Sequence, residues 1–223
     1  MPRLKLSCPV CAKQFDCDIA EPPMFGTIGE ESDGRLLGEV CPPEGDYVIV
    51  CPHCRYTAVG ETMFYEEVPN ATASSVRQGA LRRLSYDPRK AADRYFLAVE
   101  SARLRDEPPF VLGYLHLRGS WAARADGDEE AEVAHQESAL TCLESAIADD
   151  SLDPDDRAVA YYLLGELNRR LACFQTAIKY FDRLIAEYPN HGQAERAVEL
   201  RAKARMGDSD PVVWTWEESL SHV

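Results

Sequence analysis

The sequence has no apolar run near the ~18 residues that a membrane-spanning helix requires, so no span is expected. Its opening, MPRLKLSCPVC, lacks the apolar stretch of a secretory signal, and the expected location is therefore cytoplasmic. Basic residues are scarce: 24 Lys and Arg stand against 38 Asp and Glu, a net charge of −14, and residues 1–70 hold 5 of the former and 12 of the latter. An acid surplus in both halves argues against a non-specific grip on phosphate backbones or on anionic lipid, both of which depend on cations. Catalytic signatures are missing too. No HExxH, GxSxG or phosphate loop occurs, and the five histidines (His53, His116, His135, His191 and His222) are scattered. The acid runs at 127–132 and 149–156 read as solvated loops and helix starts, and GEESDG lacks the repeated donor spacing of a calcium loop. No motif proposes a substrate, so an enzyme would need an active site of unrecognised type.

What remains is a globular composition, 45% hydrophobic and 28% charged over 223 residues, enough for one and a half to two domains. Eight cysteines are present, and four form two pairs of the same build, CPVC at 8–11 and CPHC at 51–54. Each Cys-x-x-Cys turn aims two thiolates at one point, and the proline after the first cysteine stiffens the turn. Two such turns supply four soft ligands, which suits one closed, structural zinc ion on Cys8, Cys11, Cys51 and Cys54. The run DYVIV before the second pair and RYTAVG after it read as short strands, the outline of a zinc-ribbon-like β domain over 1–70. A thioredoxin-like redox pair is the competing assignment, but it belongs at a strand-to-helix junction, and Pro22 and Pro23 follow the first pair. An iron–sulfur centre or plain core thiols also stay open. Cys17, Cys41 and His53 are candidates for a further metal or thiol role, His53 because it lies inside the second knuckle. Residues 21–46 read as a Gly- and Pro-rich excursion with one short strand near 35–40.

From residue 71 to 208 the pattern turns helical, with helices expected near 75–84, 88–105, 108–125, 129–149, 155–171, 174–187 and 191–206. Tyr161, Leu164, Gly165, Ala177, Phe181 and Pro189 fall at the offsets of a tetratricopeptide repeat, with Asn168 where tyrosine is common. Gly165 would admit the second helix of the hairpin, Ala177 would sit in the crossing, and Phe181 would fill the space between hairpins. A weaker copy pairs Leu112 and Gly113 with a helix over 139–147. An ordinary helical bundle is the plainer alternative. Cys142 and Cys173 lie in apolar stripes and are expected in the core. Stacked hairpins offer a concave face. In this register Phe110, Tyr114, Arg118, Val159, Tyr162, Glu166, Arg169 and Arg170 line it, a groove for a protein or peptide segment of some acidic character. Residues 209–223 form a tail whose Val213, Trp214 and Trp216 should dock. The options are a cap on the last hairpin, a crossing to the zinc domain, or a tethered ligand whose acids face Arg169 and Arg170. A free tail is the remaining case.

CPVCAKQF, then VIVCPHCRYTAVG some forty residues on, then repeat-like hairpins: in this order the chain resembles the bacterial proteins grouped as domain of unknown function 2225, over most of residues 1–210. The resemblance implies a zinc-ribbon-like domain followed by tetratricopeptide-like helices and supplies no reaction. The chain differs from the family at Cys41, which two prolines follow. Taken together, the expectation is a non-enzymatic interaction or scaffold module with one structural zinc. The alternative is a nucleic-acid-associated zinc ribbon, in which Lys5, Lys13, Arg35 and Arg55 would meet phosphates and Phe15 and Tyr56 would stack.

Overall fold

The computed structural model describes residues 3–18, 20, 27–38, 41 and 43–216. Small β-sheets occupy the N-terminal part, and a bundle of helices packed in hairpins follows. The strands are β1 (Arg3–Ser7), β2 (Gln14–Asp18), β3 (Gly29–Glu31), β4 (Leu36–Leu37), β5 (Val48–Val50), β6 (Thr57–Val59) and β7 (Val213–Thr215). The helices are α1 (Gly60–Tyr65), α2 (Asn70–Arg77), α3 (Ala91–Leu104), α4 (Pro109–Asp126), α5 (Glu129–Ile147), α6 (Pro154–Arg170), α7 (Phe174–Glu187) and α8 (Gly192–Arg205).

The compact units do not follow chain order. One comprises Met1–Phe25 with Val40–His135, the other Gly26–Glu39 with Gln136–Val223. A boundary at residue 70 therefore lies inside the first unit, because the segment after it belongs to the core of the strands before it. Leu6, Val10, Ile49, Tyr56, Phe64, Val76 and Leu81 are buried together with Cys8, Cys51 and Cys54. Burying so many apolar side chains is what a small β region needs, since a lone two-stranded hairpin is barely stable in water.

In the first unit, β1 and β2 form an antiparallel hairpin that sets Leu4 opposite Cys17 and Leu6 opposite Phe15. A second hairpin pairs β5 with β6, Val48 facing Val59 and Val50 facing Thr57. Helix α1, which has no counterpart among the expected helices, follows β6 directly and buries Phe64. Helices α3 and α4 pack as a hairpin across 105–108, where Asp106 takes a left-handed φ of 62° and Pro109 starts the second helix. Pro at the first helical position is favoured because its missing N–H would be unpaired there anyway. Of the weaker repeat, Leu112 and Gly113 of α4 lie in the first unit and residues 139–147 in the second. Gly119 of α4 also admits a neighbour, since its added Cβ would meet the His135 ring at 2.3 Å.

The second unit stacks α6, α7 and α8. Gly165 lies against Phe181, whose ring an added Cβ would meet at 2.5 Å, while Ala177, Phe181 and Leu164 are fully buried. That is the hairpin crossing expected from the repeat offsets. A three-stranded antiparallel sheet, ordered β4-β3-β7, completes this unit, with Glu30 facing both Leu36 and Trp214. Residues 213–215 form an edge strand beside β3. Trp214 lies under the Arg196 guanidinium, 4.6 Å from its centroid, and donates to Glu199 at 3.1 Å. Cys142 is buried as expected, but Cys173 is exposed. It sits at the N-cap of α7, in the turn after the left-handed Ala172, outside the apolar stripe.

Candidate metal centre

Two loops of matching backbone build the site. In the first, the Cys8 amide donates to Lys13 O at 3.0 Å and the Ala12 amide to Cys8 O at 2.9 Å. In the second, the Cys51 amide donates to Tyr56 O and the Arg55 amide to Cys51 O, both at 2.9 Å. The residue after the second cysteine turns left-handed in each, Ala12 at φ 59° and Arg55 at φ 64°. Both hairpins therefore end in the same tight knuckle, and the four sulfurs converge.

Their ligand atoms all lie within 4.8 Å of one another. Cys8 Sγ is 3.6 Å from Cys54 Sγ, and Cys11 Sγ is 3.7 Å from Cys51 Sγ. A tetrahedral zinc–thiolate site with bonds of about 2.3 Å has sulfur–sulfur edges of about 3.8 Å. The donor set fits such an ion in number, type and spacing. Cys8, Cys51 and Cys54 are buried and Cys11 is half-buried, so four soft donors sit in an apolar setting backed by Phe64 and Tyr56.

The protons tell the same story. Thiol donation from Cys54 and then Cys8 holds the Cys51 thiolate well below the usual thiol range. Cys51 in turn pushes Cys8 up to about 12 and Cys54 higher still. Four crowded thiols cannot ionise together without a cation among them. A divalent metal would supply it, and the displaced protons would leave to solvent.

Two arginines brace the loops from outside. Arg77 of α2 donates to Val10 O at 3.2 Å, and Arg55 donates to Leu84 O at 2.8 Å. Neither role was legible in the sequence: Arg55 directly follows Cys54, but Arg77 is distant from both pairs along the chain.

With this geometry in view, comparison with known families is informative: the family described as an uncharacterized protein conserved in bacteria (DUF2225) matches residues 3–206. The chain belongs to this family. No curated protein and no solved structure matches it.

In this DUF2225 chain the remaining candidates distribute as follows. Among the described residues, the four cysteines form the only cluster of metal-ligand type, and Cys17, Cys41 and His53 are outside it. His53 is exposed at the knuckle tip, while Cys17 and Cys41 are half-buried. Burial raises the Cys17 thiol, which lines a recess of about 530 Å³ together with Asp16, Asp18, Asp46, Arg55 and Arg94.

The eight groove residues divide between the units, Phe110, Tyr114 and Arg118 in the first and the other five in the second. Tyr114 is 44% exposed. Arg118 is engaged with Glu44 at 3.0 Å and lies over the Tyr47 ring. Val159 and Arg170 are half-buried, whereas Tyr162, Glu166 and Arg169 are buried: Ser32 bonds Tyr162 and Glu166, and Arg169 donates to Asp208 O. A segment distant in sequence, residues 31–33, lies against Tyr162, Glu166 and Arg170 of this face. Among the described residues no helix is long and apolar enough to cross a membrane.

Proposed function

We propose that this protein is a non-enzymatic interaction module in which one zinc ion on Cys8, Cys11, Cys51 and Cys54 fixes the β region, and packed helical hairpins carry a face for a protein segment. The observation that carries this reading is the convergence of four largely buried sulfurs at tetrahedral spacing. Four protein ligands leave a zinc ion no open position for water or substrate, which is the mark of a structural site. Zinc bound this way cross-links two loops forty residues apart, so the ion is part of the folding energy of the first unit. A reducing, cytoplasmic setting is part of the proposal, since it keeps the thiols available.

For the partner, exposed Tyr114 beside half-buried Phe110 offers an aromatic face, of the residue type enriched at protein interfaces. Replacing Tyr114 by a photo-crosslinking amino acid in cells should give one discrete adduct that disappears in the Cys51→Ser chain. A smear of unrelated adducts, or the same adduct without the metal centre, contradicts the proposal.

A second reading has its own observation. Among the described residues, Lys13, Arg77, Arg82 and Arg83 have no carboxylate partner, and Arg77 is bonded to the first knuckle. Such cations would suit a phosphate backbone. Nucleic-acid affinity that falls steeply with added salt would favour that reading, and no affinity at low salt would remove it.

A further inference from the structure

We infer that the α6 face formed by Tyr162, Glu166, Arg169 and Arg170 is a recognition site for an acidic, serine-containing turn, and that residues 31–34 fill it as an internal ligand. The inference rests on the interaction role proposed above and names the chemistry of its partner. Positions 162, 166, 169 and 170 share one face of the helix. They read three consecutive residues. Tyr162 donates to the Ser32 carbonyl at 2.6 Å, and the Ser32 hydroxyl donates to Glu166. Arg170 reaches Glu31 at 3.4 Å, Asp33 at 3.3 Å and Ser32 Oγ at 3.1 Å. Arg170 is itself held by Glu166 at 2.8 Å, and Arg169 grips both oxygens of Glu166 at 2.8 Å. The cationic fork is thus set in place by α6 alone, before the turn is counted.

The turn is shaped for the purpose. The Glu31 amide donates to Arg35 O and the Gly34 amide to Glu31 O, both at 2.8 Å, and Gly34 takes a φ of 91° that glycine accepts freely. The tail closes over it: the Ser32 amide donates to Val212 O at 2.8 Å, and Arg169 holds Asp208 O at 2.8 Å.

Two features make this a ligand and not merely core. The hairpin of β3 and β4 is tiny, and its apolar side chains Ile28 and Leu36 stay 61% and 43% exposed. Beyond the backbone pairing of β3 with β7, the contacts of residues 31–33 with α6 are polar. Buried ion pairs add little net stability over apolar packing, while an unmatched partner leaves charges stranded. An interface of this kind selects its occupant strongly and opens locally at modest cost. A partner protein presenting two carboxylates around a hydroxyl in a tight turn has the same chemistry. It must compete with a tethered turn whose effective concentration is of millimolar order.

The test uses the full chain and a fluorescein-labelled, head-to-tail cyclised peptide of residues 27–38, read by fluorescence polarisation. The Glu31→Ala/Asp33→Ala chain should bind this peptide about ten-fold or more tighter than wild type, because the tethered competitor is lost. Adding Arg170→Ala should abolish the binding. Equal affinity for wild type and the double variant, or binding that survives Arg170→Ala, overturns the inference. If the double variant does not fold, amide exchange of the wild type decides. Ser32 and Gly34 should exchange about ten-fold or more faster than Leu163 and Leu164 in α6. Equal protection would make the turn a fixed part of the core and would also overturn it. Neither outcome touches the metal assignment or the Tyr114 adduct, which have separate readouts.

Discussion

Ala12 is an L-residue held at φ 59° immediately after the second cysteine of the first knuckle, and its side chain is exposed. A left-handed L-residue carries a penalty of roughly 1–2 kcal/mol from the contact of Cβ with the following carbonyl. Ala12→Gly removes that penalty and no packing, and it keeps the amide bond to Cys8 O. Against it stands the larger freedom of glycine in the unfolded chain, about 0.4–1 kcal/mol. The net is a stabilisation of about 0.5–1 kcal/mol. Because the ligands converge only in the folded loop, the gain should register as metal affinity tightened about two- to five-fold in competition with a chromophoric chelator. Ala202→Gly supplies the control, for Ala202 is exposed inside α8 and ordinary helical backbone surrounds it. There the same deletion should lower stability by about 1 kcal/mol and leave metal affinity unchanged. Weaker or unaltered metal binding in Ala12→Gly would refute the knuckle geometry as the source of strain.

Cys51→Ser should lose the metal and the ordered β hairpins of the first unit, while α6, α7 and α8 keep their circular dichroism, because Leu164, Ala177 and Phe181 form a core apart from the cysteines; helices that melt with the metal would contradict this. Gly165→Ala drives a methyl into the Phe181 ring and should cost about 1–3 kcal/mol in denaturant unfolding, and a neutral result would contradict the close crossing. His116 and His135 meet Nδ1 to Nδ1 at 3.0 Å, and burial lowers them to about 3 and about 4. Since the unfolded chain binds protons near pH 6.5 and the folded one does not, their contribution to stability is complete above that pH and is lost as pH falls toward 4 and 3. Both imidazoles should stay neutral by NMR at pH 5.5 in the folded protein, and either one titrating near 6.5 would contradict their burial.

Legibility in the sequence followed distance along the chain. The CPxC pairs announce themselves because each knuckle is a local object, and proline, glycine and the apolar period mark the ends of α4, α6 and α7 closely. Gly165, Ala177 and Phe181 carried the hairpin crossing for the same reason: they lie within one supersecondary unit. Residues 31–33 show the limit. GEESDG lies in what reads as a Gly- and Pro-rich excursion, yet Ser32 and Asp33 are buried against a helix more than a hundred residues away. Arg169 and Arg170 likewise look like an open face until that turn is placed on them. The pairing of β3 with β7 brings together segments from the two ends of the chain, and three-residue strands carry too little pattern to announce it. Cys173 was misplaced by one turn: its apolar neighbours belong to the helices on either side, and the residue itself to the cap between them.

The central assignment is a closed four-sulfur zinc centre, and zinc-edge X-ray absorption on protein purified without added metal tests it most directly. The predicted result is about one zinc per chain with four sulfur neighbours at about 2.3 Å and no nitrogen or oxygen in the first shell. A bound water, a histidine ligand, or folded protein that carries no metal would contradict it.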